Sequence, residues 1–421
     1  MATTVNAAPK QGASSKFKIA AVVLGVLTVA GVATWIYQLM GGLGVTGMSN
    51  GTSWGLYITM FMLFVGLSAG GLIVASSASI FHIAEYKKVA LPAVILSTVC
   101  ICCAGMFVLI DLGGIQRVWR ILTGPNPTSP LFWDICVITI YLIINIVYLA
   151  FMTSKKEGAQ GKVAIVSRFA LPVAILVHSV TAWIFGLEMA KEGWYSAIMA
   201  PLFVVSAMDS GLALLLLSLM GLDKSGVLKV EKKLISNLAG LLATCIAIDG
   251  FLVGCEVLTM AYPGAAGAET LALMATGPTA PFFWFEVIGG VIVPFCILVF
   301  AKNRVRMGLV ALASALVVLG VLCKRVWLLF TSFIEFNVAG APGIISGSTA
   351  ARAADGVNAW AIASSYAPTW VEFVIVIGVI SLGALAFMVL SRKLLAGRGS
   401  VAPAASEAAA QQGAAVPGTA A

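Results

Sequence analysis

Ten stretches of the chain stay apolar for about 20 residues or more, and short polar segments separate them. They run roughly over 18–40, 54–84, 90–112, 132–153, 165–188, 201–221, 234–260, 282–301, 307–330 and 369–391. At about 1.5 Å of rise per residue, a helix of that length crosses the hydrocarbon of a bilayer. Helices are predicted over strands because a lipid-exposed backbone must satisfy its own N–H and C=O groups, and the two-residue alternation of a membrane barrel is absent. The pattern predicts an all-α integral membrane protein with ten transmembrane helices.

Composition agrees: of 421 residues, 60% are hydrophobic and 10% charged, with a mean hydropathy of +1.04. Charge then orients the helices. With the N-terminus inside, 19 of the 25 Lys and Arg fall in segments on that side, and four (Arg117, Arg120, Lys191 and Arg352) fall opposite. Cytoplasmic loops carry such an excess, so both termini are predicted to be cytoplasmic, in a bacterial inner membrane. The net charge of +8 is scattered over short loops and reports topology; no nucleic-acid partner is expected. The first apolar stretch is too long for a signal-peptide core and reads as an uncleaved span. Residues 1–17 and 392–421 are rich in Ala, Gly, Ser, Pro and Gln and read as disordered tails. The eight cysteines form no C-x-x-C pair, so no iron–sulfur or zinc spacing is present, and they read as small polarisable core residues.

The chain repeats itself. Trp54 is followed 17 residues later by Gly71-Leu72, and Trp194 by Gly211-Leu212 at the same spacing; GPNPTSPLFWD at 124–134 meets GPTAPFFWFE at 277–286. Two parallel-repeat four-helix bundles are therefore expected over 54–188 and 201–330, with flanking helices at 18–40 and 369–391 and a long outer loop at 331–368. In each copy a proline-opened helix carries an aromatic pair and then an acid, Asp134 or Glu286.

Ionisable groups inside a membrane are costly and are candidates for function. They crowd the outer half. His178 lies about 15 Å below the outer surface and Asp209 about 12 Å. Asp249 and Glu256, seven residues apart, share a helix face. Asp134, Glu286 and Glu372 open spans, where a solvated acid at the positive end of a helix is the plain alternative. Lys324 and Arg325 differ by about 100° in direction, so one of them is expected to reach outward to the interface. His82 and Glu85 lie at the inner end. A quinone suits such a site, because its carbonyls need donors and its reduction needs protons; a transported solute suits it as well. Haem is not expected, since His82 and His178 fall in opposite halves, and no metal-ligand spacing is present.

TSWGLYITMFMLFVGLSAGG (52–71), LPVAILVHSVTAWIFGLE (171–188) and GWYSAIMAPLFVVSAMDSGLA (193–213) resemble the NrfD/polysulfide reductase membrane-subunit family, in its ten-helix branch. The resemblance implies a haem-free respiratory subunit that exchanges electrons between quinone, by family habit menaquinone, and a ferredoxin-like iron–sulfur subunit. A catalytic or cytochrome subunit on the outer face completes the complex. It also implies His178 as quinone ligand, and Asp134 and Asp209, which match polar positions of the family, are read as handling protons. Arg117, with Arg120 in the outer loop after Asp111, is read as a quinone contact, as ordering Asp111 or as meeting the iron–sulfur partner. Tyr195 stands where the family commonly has a histidine. Asp249, Glu256, Lys324, Arg325, Glu286 and His82 are expected to form a proton path. The loop at 331–368, with Glu335, Arg352, Asp355, Trp360 and Tyr366, is the expected docking surface. The rival readings are a secondary transporter and an anchor subunit without a quinone site.

Overall fold

A computed structural model describes residues 15–49, 52–80, 84–189, 191, 193–262, 264–334 and 366–395. Among them, ten helices are long and apolar enough to span a membrane. They are α1 (Ser15–Gly41), α2 (Leu56–Ile80), α3 (Ala84–Asp111), α4 (Pro130–Thr153), α5 (Ala159–Gly186), α6 (Met199–Lys224), α7 (Lys232–Ala261), α8 (Ala280–Leu298), α9 (Met307–Ile334) and α10 (Trp370–Leu395). Pro130 and Pro281 open α4 and α8, where a missing N–H costs nothing. Gly158, in the left-handed region at φ 78°, turns the chain into α5. The residues inserted ahead of α8 form a short helix, Ala265–Ala275.

Helices α2 to α5 pack in a closed cycle: α2 on α3, α3 on α4, α4 on α5, and α5 back on α2. Helices α6 to α9 do the same, α6 on α7, α7 on α8, α8 on α9, and α9 on α6. The cycles meet chiefly through α2 and α6, and α1 packs on α10, which leans on α3. Helix α2 is therefore central, with 94% of its apolar stretch buried, whereas only 6% of that of α1 is covered.

Lipid gives helices no hydrophobic reason to associate, so close packing of small residues does that work. At the crossing of α2 and α6 a Cβ added to Gly70 would lie 2.5 Å from the Cα of Gly211, and one on Gly211 2.5 Å from that of Gly70. Gly31 meets Gly378 in the same way between α1 and α10, and Gly290 meets Gly320 between α8 and α9. Gly71, the residue in register with Gly211, faces the Ala93 carbonyl instead. Backbone stands against backbone at 70 and 211, so neither side can yield. Gly211→Ala is expected to destabilise the protein by about 1–3 kcal/mol, read as a lowered thermal midpoint in detergent; Gly105→Ala, which meets nothing within 4 Å, is the neutral control.

Three cysteines differ from the sequence expectation: Cys102, Cys136 and Cys296 are exposed on the outside of their helices. A thiol is apolar enough to face lipid, so burial in a span does not require burial in protein.

Candidate functional site

Each four-helix cycle carries a buried acid near the tryptophan-bearing end, and the two are built alike. In the first, Asp134 on α4 is 4% exposed, and its Oδ1 lies 2.6 Å from the hydroxyl of Thr181 on α5. That hydroxyl also lies 2.8 Å from the Val177 carbonyl. In the second, Glu286 on α8 is 2% exposed, and its Oε2 accepts from the indole N–H of Trp327 on α9. Three residues before Thr181 stands His178; three residues before Trp327 stands Lys324. The same geometry thus holds a histidine in one cycle and a lysine in the other. The preceding tryptophans match too: Trp133 donates to the Pro127 carbonyl at 2.6 Å and Trp284 to the Ala275 carbonyl at 2.8 Å.

The two motifs differ by one residue. Asp134 follows Pro130 by four positions and Glu286 follows Pro281 by five. The extra residue is absorbed in the helix itself, which is π-helical over Phe285–Ile292. Pro294 lies just beyond and lacks the N–H that would return the ladder to α spacing.

His178 is 1% exposed, tied to the Val65 backbone on α2, and its Nε2 is buried without a hydrogen-bond partner. It lies eight residues from the end of α5, about 12 Å in. Arg325, reaching from α9, is near enough to act on its charge. Lys324 and Arg325 are both fully buried, against the expectation that one reaches the interface. The reason is that α9 is flanked on two sides. Lys324 meets α7 and α8, with Nζ at 3.1 and 3.4 Å from the Asp249 oxygens and 3.3 Å from Glu286 Oε1. Arg325, turned by about 100°, meets α6: its Nη2 donates to Ser206 Oγ at 3.2 Å and its guanidinium lies 3.9 Å from the Phe203 ring centroid. Asp209 and Glu256 are 2% and 4% exposed, each with an oxygen that has no hydrogen-bond partner.

The other candidates separate. Arg117 is exposed on a short turn at Ile115–Arg117 and makes no ion pair among the described residues. Glu372 closes a loop: it accepts from the Gly47 N–H at 2.8 Å, the Thr369 N–H at 2.9 Å and the Tyr366 hydroxyl. It is fully buried, so it is no solvated helix acid. His82, Glu335, Arg352, Asp355 and Trp360 lie outside the described residues. Tyr366 is described, and stacks on Phe330 at 4.8 Å.

Two features lay beyond the sequence reading. In the first cycle Ser68, Ser97, Tyr141 and Asn145 form a fully buried network, with Ser97 2.9 Å from the Tyr141 hydroxyl and donating to Asn145 Oδ1 at 2.8 Å. These side chains carry no charge, so a search for ionisable groups passes over them; Asn145 in an apolar run was the available signal. At the tryptophan-bearing end the seam between the cycles is filled by Trp54 stacked on Trp194 at 6.2 Å, with Phe185 and Phe333 edge-on to both. The Trp194 indole donates to the Leu328 carbonyl at 2.8 Å.

A protein of Halobacterium salinarum, named as a membrane component of dimethyl sulfoxide reductase, is 35% identical over 387 residues, covering 87% of this chain and 88% of that protein. The Hdr-like menaquinol oxidoreductase integral membrane subunit of Archaeoglobus fulgidus is 29% identical, covering 90% and 93%. A selenate reductase subunit of Mesobacillus selenatarsenatis is 29% identical, covering 73% and 80%. The family described as polysulphide reductase, NrfD, matches residues 44–337, and on that span the chain belongs to it.

Proposed function

We propose that the chain is the quinone-reactive membrane subunit of a multi-subunit respiratory oxidoreductase, binding the quinone head group beside His178. The observation that carries this is the buried Nε2 of His178 with nothing to bond to. A buried polar nitrogen left without a partner is unfavourable; a quinol hydroxyl donating to it, or a quinone carbonyl accepting from the protonated ring, supplies the partner. Asp134 is the adjoining proton group. The Thr181 hydroxyl has one hydrogen and two oxygen neighbours, Val177 O and Asp134 Oδ1. The carbonyl can only accept, so the hydroxyl donates there, and Asp134 completes the arrangement by carrying a proton and donating it to Thr181. Quinone reduction takes up two electrons from an iron–sulfur partner subunit and two protons, Asp134 giving up the one it carries and His178 passing on the other; quinol oxidation is the reverse and starts from the ionised acid.

The names of the relatives support an oxidoreductase subunit over a transporter or an anchor, and one of them names menaquinol. The partner sits on the side carrying Trp54 and Trp194. The lysine-rich ends, where Lys88 meets Glu231 at 2.5 Å, face the cytoplasm, and both termini with them. Arg117, exposed on its turn and without an ion pair among the described residues, fits contact with the partner better than contact with a buried quinone head. The matched packing of the two cycles supports their origin by duplication, with Asp209, Asp249, Glu256, Glu286, Lys324 and Arg325 as the proton-handling half. Asp134→Asn removes the exchangeable proton and keeps the shape. It is expected to lower quinol turnover by about 10²-fold or more with an unchanged thermal midpoint; turnover near that of the unmodified complex would remove Asp134 from the reaction.

A further inference from the structure

Six ionisable side chains are buried together on α6 to α9: Asp209, Asp249, Glu256, Glu286, Lys324 and Arg325, none more than 4% exposed. Four are acids and two are bases. Were all six ionised, the cluster would hold two uncompensated negative charges inside a bundle surrounded by lipid, an arrangement that burial strongly disfavours. Two protons restore neutrality, and the geometry says where they sit. Lys324 bridges Asp249 and Glu286 at 3.1 and 3.3 Å, and Trp327 adds a donor to Glu286. Arg325 supplies the second positive charge beside them. Asp249 and Glu286 are therefore the ionised pair. Asp209 and Glu256 make no ion pair among the described residues, and Asp209 Oδ1 and Glu256 Oε2 have no hydrogen-bond partner.

They also lie at the two sides of the triad. Glu256 is five residues from the end of α7, roughly 8 Å in; Asp209 is ten residues from the start of α6, about 15 Å in, level with Lys324. Asp209 faces Asp249, Lys324, Arg325 and the Cys245 thiol. Glu256 faces Lys324, Glu286, Asp249 and Arg325. Arg325 is near enough to act on the charge of His178 as well, which links the proposed quinone site to the acids.

We propose that Asp209 and Glu256 are two proton-storage positions, each a neutral carboxylic acid in the resting protein, flanking a permanently ionised Lys324–Asp249–Glu286 triad. Their role in turnover rests on the reading of α6 to α9 as the proton-handling half; their resting protonation does not. Infrared spectra of the purified complex, in H₂O and after exchange into D₂O, test both. Asp209→Asn and Glu256→Gln keep shape and neutrality, so each variant is expected to assemble normally and to lose one carboxylic-acid C=O band that shifts on deuteration. Glu286→Gln is expected to lose no such band. Spectra in which neither variant lacks a carboxylic-acid band overturn the proposal. So do variants at 209 and 256 that fail to assemble, since a neutral acid should accept a neutral amide of the same shape. Bands that are present but unmoved when quinol is added leave the storage standing and overturn the proton-handling reading.

Discussion

Replacing His178 with alanine is expected to lower quinol turnover by about 10²–10⁴-fold while the protein stays folded. Both halves follow from its surroundings. The ring is buried, so its loss leaves a void, yet its Nε2 bonds to nothing in the protein. Removing the ring relieves the cost of the unmet Nε2, but it forms the cavity and breaks the bond to the Val65 backbone. The thermal midpoint should therefore fall modestly, while the larger damage should appear in turnover and in the binding of a quinone analogue together. His178→Gln restores hydrogen bonding without basicity, so it should recover analogue binding more than turnover. Turnover near the original value in the alanine variant would mean that the quinone sits elsewhere.

The largest loss of assembly is expected from Lys324→Met. It strands two buried carboxylates at once, and breaking a buried ion pair by removing one partner costs about 3–5 kcal/mol. The variant should fail to accumulate in the membrane. Neutralising one partner should reverse this. Lys324→Met with Asp249→Asn should be milder than the sum of the single changes, because Glu286 and Arg325 then balance; adding Glu286→Gln strands the buried Arg325 and should lower the yield again. Yield and midpoint across this series measure the coupling. Additive losses would show that Lys324 and Asp249 do not interact, in spite of their 3.1 Å separation.

The hydropathy pattern located all ten spans, with ends off by up to about six residues, as at 90–112 against Ala84–Asp111, because length and apolarity are local properties. Which acids meet which bases was not local. Asp249 and Lys324 are 75 positions apart, and their contact depends on α9 being wedged between α6 and the α7–α8 pair. That same wedge buries both Lys324 and Arg325, although their difference in direction had suggested that one of them reaches the interface. Helical spacing fixes the angle between two side chains and is silent on how many neighbours the helix has. The Ser68–Ser97–Tyr141–Asn145 network was illegible for a different reason: hydroxyls in apolar helices can bond their own backbone, as Ser77 does to the Ile73 carbonyl at 2.7 Å, so their presence predicts no tertiary contact.

The π-helical turn of α8 bears on how the two halves are to be compared. PLFWD and PFFWFE can be aligned on their prolines or on their acids, never on both. Aligning on the prolines sets Asp134 against Phe285 and makes the second acid look like a loss. The partners pair the acids, Thr181 standing three residues after His178 and Trp327 three after Lys324, so the surplus residue lies between Pro281 and Glu286, where the helix passes into its π-helical stretch at Phe285–Ile292. Any alignment of one half on the other must open a one-residue gap there. A profile that forbids gaps inside a membrane span would misplace every residue of α8 on one side of it, and with them the partner of Lys324.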